Sequence, residues 1–199
     1  MKVLGIVCSP RLHGNTEIMV QESLAEAQQA GAEVELFTLA GKTIAPCDGC
    51  LSCQRTKECH IKDDMQDVYI KLLEADGIIF GTPVYFATVS AQAKALIDRS
   101  LIFLEEYKLR NKVAGAVMTA DRTGVTSALA VFSIFFNLHR MIMAGAAFGF
   151  SGSKKGGIRN DKTGMAQAKA LGRAVVRRIH CYKIPSHIAL STSSQENYI

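Results

Sequence analysis

The chain has 199 residues, 48% hydrophobic and 21% charged, which suits one large domain whose core needs no covalent staples. Its formal net charge of +5 is mild and spread out, and no basic block interleaved with aromatics occurs, which argues against a nucleic-acid partner. Residues 2–8 are too short for a signal peptide, and the most apolar stretch, 128–147, is interrupted by Asn137, His139 and Arg140, so no membrane span and a cytoplasmic location are expected.

Residues 2–8 read as a first strand and residues 16–30 as a helix, with Asn15 or Thr16 as its cap and Gly31 as its stop. Residues 33–38 form a second strand, followed by a cysteine-rich stretch. Met65, Val68, Tyr69, Leu72 and Leu73 make one apolar helical stripe, capped by Asp63 or Asp64. Residues 77–82 give a third strand and 90–99 a helix; 101–111 fit neither pattern. Residues 113–119 form a fourth strand and 124–144 a long apolar helix. A short fifth strand at 147–151 and a Gly/Lys-rich loop at 152–164 precede a last helix marked by Met165, Ala168, Gly172, Val175, Val176 and Ile179. The tail, 185–199, is polar. Strands alternating with helices predict an α/β chain with a parallel sheet covered on both faces, whose ligand lies beyond the strands' carboxyl ends.

The loop Ser9-Pro10-Arg11-Leu12-His13-Gly14-Asn15-Thr16 joins the first strand to the first helix. Hydroxyls of Ser9 and Thr16, the Asn15 amide and the N–H groups at the helix start can converge on a phosphate. Gly14 permits close approach and Arg11 supplies charge. The loop matches neither the ATP P-loop nor the dinucleotide fingerprint. An ordinary polar turn is the alternative; the position at the first crossover favours the anion site.

Four of the six cysteines, Cys47, Cys50, Cys53 and Cys59, crowd into one loop at spacings x2, x2 and x5. Three thiolates at x2 spacing can wrap one face of a cubane cluster, and the fourth can close it. Structural zinc more often uses two separated pairs, so iron–sulfur is favoured over zinc. A redox dithiol is a weaker alternative. His60 is read as solvent-facing. Cys8 reads as a buried apolar residue, Cys181 has no visible partner, and His139 and His180 read as structural.

The sequence S-P-R-x-x-G-N-T resembles the FMN phosphate loop of the NADPH-dependent FMN reductase and flavodoxin-like superfamily. Gly81-Thr82-Pro83-Val84-Tyr85-Phe86, followed by a helix ending Ile97-Asp98-Arg99, resembles its second flavin loop. Thr119-Ala120-Asp121-Arg122-Thr123-Gly124 holds the place of the third, with fewer glycines than the family often carries. The cysteine motif with Asp63-Asp64-Met65 is similar to the iron–sulfur flavoproteins of that superfamily.

The resemblance implies a flavodoxin-like three-layer sandwich with a five-stranded parallel sheet of order 2-1-3-4-5. Its domain would span 1–182, with a cysteine insert at 45–62 and a tail at 183–199. It implies FMN held by Ser9, Arg11, Gly14, Asn15, Thr16, Thr82, Pro83, Val84, Tyr85, Phe86, Thr119, Ala120, Asp121 and Gly124. It also implies a [4Fe–4S] cluster on Cys47, Cys50, Cys53 and Cys59, with no side chain acting as general acid. Expected partners are ferredoxin or NAD(P)H and further copies of the chain, as a homodimer or homotetramer. Leu129, Phe132, Phe135, Phe136, Leu138, Met141 and Met143 make the 124–144 stretch apolar on more than one face, which agrees with an interface.

Two other functions compete with a cluster–flavin electron relay. One is an NAD(P)H-dependent FMN or quinone reductase whose cysteines are structural or bind zinc. The other is a zinc-stabilised module without flavin.

Overall fold

In a computed structural model of the chain, residues 1–152 and 154–183 are described. The expected tail lies outside them, as does Ser153.

Strand β1 (Lys2–Val7) alternates between two interiors. Leu4 and Ile6 face one core, with Met65, Val68, Leu72 and Phe80. Val3 and Val7 face the other, with Met19, Val20, Leu24 and Val175. A strand buried on both faces is the signature of a parallel sheet covered by helices. The helices that cover it are α1 (Asn15–Gln29) and α6 (Lys162–Lys183) on one side. On the other lie α3 (Met65–Glu74), α4 (Ala91–Arg99) and α5 (Val125–Leu138). Strands β2 (Glu33–Thr38), β3 (Gly77–Tyr85), β5 (Val113–Ala120) and β6 (Ile142–Phe150) complete the parallel path β2-β1-β3-β5-β6. This is the expected flavodoxin-like order. A sixth strand, β4 (Thr88–Val89), folds back antiparallel on the end of β3 and corrects the expected count of five.

The expected helix over 124–144 is also corrected. It ends at Leu138; Arg140 takes φ 54, and Ile142–Phe150 becomes the edge strand. Ala144, Ala146 and Ala147 carry helical propensity, but β5 offers a ladder from Val113 to Ala120 that the strand completes. Small residues in β6 serve packing: a Cβ at Gly149 would sit 2.3 Å from the Met19 sulfur. In the expected 152–164 loop, α6 starts early because Asp161 caps it, accepting the Gly164 N–H at 2.9 Å. Residues 101–111 are a short 3-10 helix (Ser100–Phe103) followed by turns. Of the predicted α3 stripe, Leu73 is exposed and the rest are buried. No described helix is long and apolar enough to cross a membrane.

His139 ends α5 beneath the Phe135 ring and is 3% exposed. Its Nε2 pairs with the Ser100 hydroxyl at 2.9 Å, and its Nδ1 is buried without a partner among the described residues. Burial pushes its pKa down to about 4. The unfolded chain therefore takes up this proton near pH 6.5, whereas the folded chain resists until about pH 4. Its contribution is intact above pH 6.5 and lost on acidification to pH 4, by about 3 kcal/mol. Urea unfolding of wild type and His139→Gln across that window should show the steeper loss in wild type. Parallel pH profiles would contradict the assignment.

Candidate flavin cleft and cysteine centre

The C-terminal ends of β1, β3 and β5 open on a cleft of about 240 Å³. It brings together Ser9, Arg11, Gly14, Asn15, Thr16, Pro83, Val84, Tyr85, Thr119, Ala120 and Asp121, and adds Ser151 and Gly152. Gly14 stands at the α1 N-cap with no side-chain cap, which leaves first-turn N–H groups open to an anion. Glu17 stiffens the approach: its carboxylate accepts the His13 N–H at 2.7 Å and holds the His13 ring at 3.0 Å. The Ser9 hydroxyl accepts the Arg11 N–H at 3.1 Å, which fixes the turn.

Two of the expected phosphate donors have other work. The Asn15 amide donates to the Ser151 hydroxyl at 2.7 Å and the Lys154 carbonyl at 2.9 Å, tying the β6–α6 loop over the cleft. The Thr16 hydroxyl meets that of Thr119 at 2.6 Å and fastens α1 to the end of β5. Ser151 and Gly152 could not be found from the sequence, because the segment reads only as a generic loop. Asn15 is the link that draws them in.

Thr82, Phe86 and Gly124 stand outside the cleft lining. Thr82 is fully buried; its hydroxyl donates to the Pro83 carbonyl at 2.9 Å and accepts the Ser90 N–H at 3.0 Å, which shapes the turn into α4. Phe86 and Ala87 connect β3 to β4 with φ of 46° and 63°. A two-residue hairpin demands such values, and glycine or asparagine usually supplies them. Phe86 is nonetheless fully solvent-exposed there. Gly124, at φ 88, lies against Ala87 from below.

The cysteine loop runs between β2 and α3. Cys47, Cys50, Cys53 and Cys59 all line one small cavity, together with His60, Ile61, Asp98 and Arg99. Cys53 sits on the five-residue α2 (Ser52–Thr56), bracketed by Leu51 and Lys57 in left-handed conformations. Burial raises the Cys53 pKa first, and the neighbouring thiols of Cys59, Cys47 and Cys50 raise it further. Four thiols crowded on one cavity are the donor set that a cationic centre draws into ionised form. The donor set fits iron and sulfide. His60 is solvent-facing as expected, yet its ring holds Asp48 at 2.7 Å, and Asp48, Cys50 and His60 place ligand atoms within 4.8 Å of one another. Cys8, by contrast, is buried, and its thiol is pushed up to about 12 by burial, as the apolar reading expects.

The base of the loop is pinched shut by Asp63 and Arg99. The pair meets at 2.7 and 3.0 Å with both side chains nearly inaccessible. Burial works to raise the Asp63 pKa, but the Arg99 guanidinium and the N–H groups of Ala45 and Met65 outweigh it and hold the carboxyl below its ordinary value. The expected Asp63 cap of α3 therefore exists, through Met65 N–H at 3.0 Å, as one bond of a larger lock. Asp64 accepts the Thr43 N–H at 2.6 Å instead of capping.

With this fold and these two centres in view, comparison with known proteins is direct. The model of the NADPH-dependent FMN reductase family matches residues 1–155. An iron–sulfur flavoprotein of Methanocaldococcus jannaschii is 42% identical over 192 residues, covering 92% of this chain and all of its own. An iron–sulfur flavoprotein of Archaeoglobus fulgidus is 40% identical over 153 residues, covering 74% of this chain and 77% of its own. RosB, solved with a bound 8-demethyl-8-formylriboflavin-5'-phosphate intermediate, superposes with a TM-score of 0.74 at 15% identity, covering 91% of this chain and 79% of that one, a likeness of fold. The chain is a flavodoxin-like, flavin-dependent oxidoreductase, and it belongs to the iron–sulfur flavoproteins of the NADPH-dependent FMN reductase family.

Proposed function

We propose that this chain relays electrons between a [4Fe–4S] cluster on Cys47, Cys50, Cys53 and Cys59 and an FMN in the Ser9–Thr119 cleft. The observation that carries the reading is the convergence of all four thiols on one cavity, in a chain that also builds an anion-binding helix start. When bound, the cluster supplies single electrons and the flavin exchanges one or two. The protein binds and orients. Ser9, Gly14 and the first turn of α1 hold the phosphate, with Arg11 beside them. Pro83, Val84 and Tyr85 bound the isoalloxazine, and Thr119, Ala120 and Asp121 face it from β5. Thr82, Phe86 and Gly124 support that site: Thr82 and Gly124 shape its loops, and Phe86 extends an aromatic surface beside it. The domain is residues 1–182, with the cysteine insert at 45–62 and the tail at 183–199. A small carrier such as ferredoxin, or NAD(P)H, supplies the electrons in a cytoplasmic setting.

The chain acts as a homo-oligomer. An apolar strip of Ile97, Leu101, Val131, Ile134 and Leu138 runs on to Cys47 and Gly49, with Ile134 and Leu138 more than half exposed. A second copy covering it would shield the cysteine loop from water. Light scattering that gives a monomer contradicts this part.

Anaerobic purification with iron, sulfide, zinc and flavin measured on one sample tests the function. FMN with iron and sulfide is the expected result. FMN with zinc and no sulfide would overturn it and favour a second reading, an NAD(P)H-dependent FMN or quinone reductase. That reading draws on the Asp48–Cys50–His60 group, whose mixed ligands suit zinc. The phosphate site makes its own prediction. FMN should bind roughly a hundredfold or more tighter than riboflavin, because at least two charge-assisted hydrogen bonds depend on the phosphate. Titration of the flavin-free protein with both ligands checks this; equal affinities would place the phosphate elsewhere.

A further inference from the structure

Arg99 is 3% exposed, and its donors are almost all committed. Nη1 donates to Asp63 at 2.7 Å and to the Ala45 carbonyl at 3.1 Å; Nη2 donates to Asp63 at 3.0 Å and to the Ile61 carbonyl at 3.0 Å. These partners flank the cysteine run on both sides, two residues before Cys47 and two after Cys59. The fifth donor, Nε–H, is buried and has no acceptor among the described residues. A buried donor left unpaired is costly, and its persistence calls for an acceptor. Arg99 also lines the cavity that the four cysteines surround. The Tyr69 hydroxyl donates to the Arg99 carbonyl at 3.0 Å and lies beside Cys59.

We propose that Arg99 is a positioning residue of the cysteine centre, whose Nε–H donates to a sulfur in that cavity while its two Nη groups clamp the ends of the loop. The proposal rests on the reading that the thiolates hold a cluster. A hydrogen bond to a thiolate or sulfide sulfur stabilises the more negative, reduced state and so raises the reduction potential. No proton is transferred; the Nε–H remains on arginine in both states. Asp63 balances the guanidinium charge, so the effect is carried by the directed N–H rather than by a free cation.

The test compares midpoint potentials of the cluster, followed by EPR in a redox titration, in wild type, Arg99→Lys and Asp63→Asn. Lysine keeps the charge and loses the directed Nε–H; asparagine keeps Arg99 and loosens the clamp. Arg99→Lys should show about a tenfold lower reduced-to-oxidised ratio at a fixed potential, about 59 mV for one electron. Asp63→Asn should shift it less. Equal potentials in wild type and Arg99→Lys overturn the inference, as do equal shifts in both variants. Should Arg99→Lys fail to fold, wild type grown with arginine labelled with ¹⁵N at Nε alone decides the matter. Pulsed EPR of the reduced protein should show one weakly coupled ¹⁵N, and its absence refutes the proposal. Wild type that contains no iron or sulfide after anaerobic purification would remove the cluster reading itself, and this inference with it. An iron-loaded wild type with unshifted variants removes only the inference.

Discussion

Cys53→Ser, purified without oxygen, should carry FMN at the wild-type stoichiometry and neither iron nor sulfide. Cys53, a ligand in the proposed relay, sits on its own short helix, bracketed by left-handed residues at Leu51 and Lys57. Serine puts a protonated hydroxyl where a soft thiolate is required. The cysteine cavity and the flavin cleft share no lining residue, which is why loss at one should spare the other. Colorimetric iron and sulfide assays beside flavin absorbance read both at once. A variant with its full complement of iron would mean that Cys53 is not a ligand.

Gly124→Ala should weaken FMN binding and destabilise the fold by about 2–5 kcal/mol, the sum of left-handed backbone strain and overpacking. Gly124 has φ 88, and an added Cβ would lie 2.8 Å from the Val84 side chain and 2.9 Å from the Ala87 Cα. The Ala87 backbone cannot yield easily, because the Phe86–Ala87 turn is itself strained. The β3–β4 hairpin must then lift, carrying Val84 and Tyr85 with it. Thermal unfolding and flavin titration check the two effects. A variant with wild-type affinity and stability would show that the hairpin moves freely.

The fold was largely legible because its signals are local. Short apolar runs marked β1, β2, β3 and β5, and the apolar stripe at Met65, Val68, Tyr69 and Leu72 marked α3. The segment 139–144 was misread as helix because Ala and Met suit one, and only pairing with β5 extends the strand back over it. β4 was invisible because two residues carry no periodicity. At the site, the cysteine spacing and the 9–16 loop were readable from the chain. The roles within them were not. Asn15 looks like a phosphate donor until Ser151 and Lys154, far along the chain, occupy its amide. Asp63 is legible as a helix cap, but not as the partner of Arg99, which reaches it across 36 positions. Those partners are set by tertiary packing, which spacing does not encode.

The proposed relay brings electrons to the flavin by way of the cysteine centre. It is tested most directly by anaerobic rapid mixing of reduced ferredoxin with wild type and with Cys53→Ser, both loaded with FMN, while flavin absorbance is followed. Prompt bleaching is expected in wild type and none on that timescale in the variant. Bleaching of the variant at the wild-type rate would contradict it.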